Sequence, residues 1–131
     1  MKSMGDLPSL ENARIANMTF SGKDLPKLIA DHSEFRNVTF ERCNLMSAGF
    51  IDAEFTNVSF LSCDLRKAAF HASNSNECDF RGSDLRGAYL GGKREDYLHQ
   101  EGVLIDETTR FDYEPSENSV RIFFLPRRTQ Q

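Results

Sequence analysis

No stretch of the chain approaches the ~18 consecutive apolar residues that a bilayer span needs, and residues 1–12 have no basic cluster followed by an apolar run, so neither a membrane span nor a secretion signal is expected. Cysteine is scarce: there are three in 131 residues, with no Cys-x-x-Cys and no paired histidine motif, which removes the spacing that zinc sites use. The odd count without a leader points to reduced thiols and a cytoplasmic setting. Charge of one sign is also lacking. The net charge is −4, residues 11–92 hold 11 acidic and 9 basic side chains, and residues 93–131 hold 8 and 6. That balance excludes the basic footprint of a direct nucleic-acid binder. Glycines near residues 86–93 lack the phosphate-loop spacing, so a tight turn accounts for them better than an anion cradle. No cofactor is implied.

What is present is a pattern of twenty residues written four times, over 13–32, 33–52, 53–72 and 73–92. Every fifth residue is apolar apart from one serine. In steps of twenty these positions form four columns: Ile15, Phe35, Phe55, Ser75; Phe20, Phe40, Phe60, Phe80; Leu25, Leu45, Leu65, Leu85; and Ala30, Phe50, Phe70, Leu90. Eight of the eleven phenylalanines fall on these 16 positions, too many for even scatter. A period of five fits neither a helix nor strand alternation, so the chain turns once per unit and stacks residues twenty apart. Two residues before each centre stand small side chains such as Val38, Cys43, Ala48, Ala53, Val58, Cys63 and Ala68, which suit a second inward position. Just before each centre stand Thr39, Asn44, Ser59, Asp64, Asp79 and Asp84, turn-competent residues expected to face solvent.

Cys43–Asn44–Leu45, Cys63–Asp64–Leu65, Cys78–Asp79–Phe80 and Ser83–Asp84–Leu85 resemble the unit of the pentapeptide-repeat family, Ala-Asp/Asn-Leu/Phe followed by two variable residues. The resemblance covers about 80 residues and implies an all-β fold, a right-handed quadrilateral β-helix of about four coils, residues 13–92. An N-terminal cap over residues 1–12 and a C-terminal cap over residues 93–131 then cover its ends, which expose apolar core and unpaired backbone. With 39% hydrophobic residues the length suits one domain.

Several departures from the pattern carry expectations. In the first copy Lys23 stands at an inward position, Pro26 follows Leu25, and Ala30 replaces a large residue, so this coil is expected to be distorted or partly replaced by a cap. In the fourth, Ser75 within Asn74–Ser75–Asn76–Glu77 predicts a small bulge or a polar, water-filled notch, and the notch is a candidate small-ligand pocket over residues 73–77. After Gly92 the register is expected to stop. Residues 93–100 read as a short helix offering Tyr97 and Leu98 to the last coil, with Gly102 ending it. Residues 103–105 and Phe111 read as cap, and residues 119–125 as an apolar strand stopped by Pro126. That strand either caps its own coil or makes a homodimer through Val120, Ile122 and Phe124; some proteins of the resembled family dimerise through C-terminal segments.

Cys43 over Cys63 permits a disulfide geometrically, but buried small residues explain the pair better. His32 stands over Asp52 and predicts a surface ion pair; no Ser or Cys nucleophile shares its column, and a solenoid wall offers no cleft, so an enzyme is not expected. The expectation is a non-catalytic module that occupies a partner protein's surface, as an inhibitor, adaptor or immunity-type protein. The resemblance adds an alternative, since some members of that family mimic duplex DNA and bind type II topoisomerases, protecting against gyrase poisons. The candidate partner-binding carboxylates are Asp64 and Asp84 in one column with Asp24, and Glu34 with Glu54 in another; Arg66, Lys67 and Arg86 near the first, with Arg36 and Arg42 near the second, are expected to cancel much of the field.

Overall fold

The computed structural model describes residues 9–113. Strands β1 (Arg14–Ser21), β2 (Glu34–Glu41) and β3 (Glu54–Leu61) pair parallel in the order β1-β2-β3, each residue opposite the one twenty further on. Isolated parallel bridges carry the same step around the other two sides, through Asp24, Asn44, Asp64 and Asp84, and through Ile29, Gly49, Ala69 and Tyr89. The result is a four-sided β-solenoid. Each side is named here by the first residue of its column: Ile15, Phe20, Leu25 and Ala30.

The core follows from the columns. Phe35, Phe40, Phe50, Phe55, Phe60, Phe70 and Phe80 are buried with Leu25, Leu45, Leu65 and Leu85, and Val38, Cys43, Ala48, Ala53, Val58, Cys63 and Ala68 fill the second inward row. Rings twenty apart stack: Phe20 to Phe40 and Phe40 to Phe60 at 4.9 Å between centroids, Phe60 to Phe80 at 5.2 Å, and Phe50 to Phe70 at 4.8 Å. Each fully buried ring contributes about 1.5–3 kcal/mol. Phe20 and Ile15, in the first coil, are only half-buried because no coil precedes theirs.

The turns lie elsewhere than the polar residues suggest. Every positive-φ residue among those described falls two positions after a column centre, from Asn12 to Gly102. Asn17, Gly22, Asn37, Asn57 and Gly82 suit this left-handed conformation; Lys27, His32, Arg42 and Ala72 adopt it against a steric cost. Asn17, Asn37 and Asn57 offset part of that cost with a ladder of side-chain amide bonds, Asn37 Nδ2 to Asn17 Oδ1 at 3.0 Å and Asn57 Nδ2 to Asn37 Oδ1 at 2.9 Å.

The first coil is regular, contrary to expectation. Its ladder to the second is complete, and its corners share the φ of the others. The reason is an exchange of sizes: Leu28, at the second inward row, is buried beside Ala30, so the pair fills the space that Ala48 and Phe50 fill one coil below. Leu10 packs against this core, its N–H bonded to the Ile29 carbonyl at 2.7 Å.

At the other end the register resumes after Gly92 instead of stopping. Leu85 N–H bonds the Leu104 carbonyl at 2.8 Å, Val103 and Ile105 pack on the core, and β4 (Tyr89–Leu90) pairs with β5 (Arg110–Phe111) at a step of 21. This fifth, irregular coil contains helix α1 (Glu95–Leu98). Tyr97 is buried, but Leu98 is 61% exposed and does not face the coil. Gly102 does not end the helix, which stops at Leu98; it is a corner stacked on Gly82, where an added Cβ would lie 3.2 Å from the Gly82 Cα. Cys43, Cys63 and Cys78 are free and buried. Residues 1–8 of the expected cap, and the strand with Val120, Ile122 and Phe124, lie outside the described residues.

Candidate interaction surfaces

In an extended segment residues i and i+2 project to the same side, and on the Leu25 side this places an arginine beside each lower aspartate. The Asp64 carboxylate accepts Arg66 Nε at 2.9 Å and Nη2 at 2.7 Å; Asp84 accepts Arg86 Nε at 2.9 Å and Nη2 at 2.6 Å. Each Oδ1 also takes the backbone N–H of its arginine at 3.2 Å, a local turn that orients the carboxylate. The Arg66 guanidinium holds the Asp64 carboxyl below the usual carboxylate range, and Arg86 does the same for Asp84. Higher in the column Asn44 Nδ2 donates to Asp24 Oδ1 at 2.8 Å. Asp64 and Asp84 are therefore locally neutralised, while Asp24, bonded to an amide, keeps its charge, so the column is not a continuous negative stripe.

Glu34 and Glu54 are ladder partners on the Ile15 side, the opposite wall, so the four candidate carboxylates are not brought together. Glu34 pairs with Arg14 at 2.9 Å, both exposed; Glu54 makes no ion pair among the described residues. His32 Nδ1 lies 3.1 Å from Asp52 Oδ2, an exposed contact.

Of the two expectations for residues 73–77 the structure shows the bulge, a 3-10 turn over Ser75–Glu77. Ser75 itself is buried and covered by a side chain of the fifth coil. Ser75 Oγ lies 2.8 Å from Tyr97 Oη and accepts the Gly91 N–H at 2.8 Å, while Tyr97 Oη donates to the Gly91 carbonyl at 2.6 Å. Burial pushes the Tyr97 hydroxyl pKa up, so it stays a neutral donor. Asn74 replaces the missing ladder: its Oδ1 accepts the Phe55 N–H and its Nδ2 donates to the Phe55 carbonyl, both at 2.8 Å. Burial likewise raises the Cys63 thiol to about 12 and the Cys78 thiol further, which leaves neither as a thiolate nucleophile at neutral pH.

The Ala30 side was not singled out by sequence reasoning. Its outward residues are Ile29, Gly49, Ala69 and Tyr89 before the centres and Asp31, Ile51 and His71 after them, while Gly91 in the same row is buried. Ile29 is 50% and Tyr89 38% exposed. Asp31 Oδ1 accepts the Ile51 N–H at 2.9 Å by crossing Gly49, where a Cβ would lie 2.7 Å from that oxygen. The His71 ring sits 4.4 Å from Tyr89, and its buried Nδ1 has no hydrogen-bond partner among the described residues. Reading the outward positions in steps of twenty, as the inward ones were read, exposes this stripe in the sequence.

Among the described residues no helix is long and apolar enough to cross a membrane, and no cluster of metal-ligating side chains occurs. The family model described as pentapeptide repeat region matches residues 13–90. Among solved structures the chain is similar to a pentapeptide repeat protein of the Arabidopsis thaliana thylakoid lumen, at 25% identity over 81% of this chain and 73% of that one, with a TM-score of 0.49. It is also similar to QnrB1, a plasmid-mediated fluoroquinolone resistance protein, at 12% identity over 74% and 79% with a TM-score of 0.35. The pentapeptide repeat protein Rfr23 of the cyanobacterium Cyanothece 51142 is similar at 14% identity over 76% and 88%, with a TM-score of 0.24. No curated protein sequence matches the chain.

Proposed function

Because the chain belongs to the pentapeptide-repeat family, we propose that it is a non-catalytic protein-binding module that acts by occupying a partner protein's surface. One observation carries the choice of surface: the twin forks Asp64–Arg66 and Asp84–Arg86, one coil apart on a rigid wall. Each guanidinium is held at Nε and Nη2, leaving Nη1 and the ring-like planar face for a partner's carboxylate or aromatic group. Side chains already held in place lose little entropy on binding, and arginine is enriched among residues that dominate interface energetics. The partner expected is one with alternating acidic and basic groups at coil spacing, met by an inhibitor, adaptor or immunity-type protein. The unpaired cysteines support a cytoplasmic setting for this role.

Mimicry of duplex DNA toward a type II topoisomerase is not carried forward. It needs a continuous negative field, whereas Asp64 and Asp84 spend their charge on Arg66 and Arg86. A small-ligand pocket at residues 73–77 is less favoured, because Tyr97 covers and satisfies Ser75.

The test is affinity capture from a lysate of the source organism with wild-type protein and with an Arg66→Glu/Arg86→Glu variant. A protein retained by the wild type and lost by the variant, with the variant still folded by circular dichroism at the capture temperature, supports the reading. Equal retention by both, or no retained protein, overturns it.

A further inference from the structure

The Ala30 side carries fewer polar outward residues than the other walls, Asp31 and His71 among them. Its apolar outward residues Ile29, Ile51, Ala69 and Tyr89 form a stripe down four coils, while the Leu25, Phe20 and Ile15 sides carry charged, amide or hydroxyl groups at most of the matching positions. Ile29 and Tyr89 are exposed at its two ends, with Ile51 and Ala69 half-buried between them, and three observations say what covers it.

First, the described chain departs at the margin of this side. The Ala72 N–H donates to Asp112 Oδ2 at 2.7 Å and the Tyr113 N–H to the Gly92 carbonyl at 3.0 Å, and residues 72 and 92 are corners where the Ala30 side ends. Second, the 18 residues beyond Tyr113 include Ser-Val-Arg-Ile-Phe-Phe-Leu at 119–125, with Val120, Ile122 and Phe124 in alternation. Five intervening residues reach up to ~17 Å and a seven-residue strand covers ~23 Å; four coils at ~4.8 Å spacing stand ~15–20 Å tall. Third, the stripe is roughly 200 Å² by those spacings, far below the ~800 Å² per partner of a stable interface. A tethered segment needs no such area, because its effective concentration is on the order of millimolar.

We infer that residues 119–125 of the same chain lie along the Ala30 side, with Val120, Ile122 and Phe124 against Ile29, Ile51, Ala69 and Tyr89. The occupant is the chain's own terminus, and the wall it covers is distinct from the one that bears the arginine forks.

The chain has no tryptophan, so Phe124→Trp in the full-length protein gives a single fluorescent probe. The expected result is a blue-shifted emission and several-fold slower acrylamide quenching than in a peptide of residues 114–131 carrying the same tryptophan, independent of protein concentration. Adding Ile29→Asp or Tyr89→Asp, both at exposed positions, returns quenching to the peptide value, and Met46→Asp on the Leu25 side does not. Quenching at the peptide rate in the parent overturns the inference. So does protection that survives both variants of the Ala30 side, which places the segment elsewhere. Protection lost on dilution, with the mass of a dimer by light scattering, also overturns it by assigning the stripe to a second copy's segment.

Discussion

The Leu25 and Ala30 sides are adjacent walls of one coil, built on the same backbone and the same stacked core, yet their surfaces are unlike. On the Leu25 side each aspartate is bonded to a neighbour two residues or one coil away, so the Asp64–Arg66 and Asp84–Arg86 pairs are locally neutral and held in place. On the Ala30 side small residues bring the backbone near solvent, and a single long polar reach, Asp31 over Gly49, serves the Ile51 amide. The inward rows fix the fold and leave the outward rows free to differ, which is how one regular scaffold presents two chemistries a quarter-turn apart.

The largest test of that comparison removes what the walls share. The Phe60 ring touches those of Phe40, Phe50, Phe55, Phe70 and Phe80, so Phe60→Ala is expected to cost about 3–5 kcal/mol in urea unfolding. Amide exchange should quicken together at Leu65 and at Ala69; loosening of one wall alone would show that the walls do not share a core. Next, Gly49→Ala on the Ala30 side forces Asp31 off the Ile51 amide and is expected to cost about 1–3 kcal/mol, whereas Met46→Ala on the Leu25 side stays within about 0.5 kcal/mol. Equal costs would erase the distinction between the walls.

The smallest effect belongs to the forks. Asp64→Asn and Asp84→Asn should each cost about 0.2–1 kcal/mol at low salt, because the pairs are partly exposed. Both carboxyls titrate below the ordinary aspartate value when folded, so their contribution is present above about pH 3.9 and is lost as pH falls through the folded values. The double variant should therefore flatten the acid limb of a pH–stability profile, and high salt should shrink the difference; an unchanged acid limb would show that the forks do not couple to folding.

Much of this arrangement is legible in the sequence, because residues twenty apart occupy the same environment and converge on the same chemistry. Phe40, Phe60 and Phe80, or Leu45, Leu65 and Leu85, report the columns directly. The exchange of Leu28 with Ala30 is not legible position by position, since each residue alone looks like a defect and only their joint volume fits. The corners are hidden as well: Lys27, Arg42 and Ala72 carry no mark of the left-handed conformation that their place in the coil imposes. The fifth coil escapes the pattern because α1 stands in place of a strand, the Gln100 side chain, rather than backbone, takes the Phe80 N–H at 2.5 Å, and the step lengthens from 20 at Leu104 to 21 at Arg110. Of the candidate site, the Asp column and its nearby arginines are read from the sequence, and the apolar residues of the Ala30 side are legible at the same step of twenty, but the pairing geometry comes from the structure.

The left-handed corner fails at Glu77 and Tyr97, the positions that would follow Ser75 and Glu95 on the Ile15 side. Those are the places where a solenoid with a repeating corner could otherwise continue without limit, offering each new strand edge to another molecule. Asn74 and Gln100 close the edge with side-chain amides, and the 3-10 turn and α1 stand where the next strand would lie. On the Ile15 and Phe20 sides, among the described residues, side chains thus close an open-ended unit and remove a strand edge that another molecule could extend.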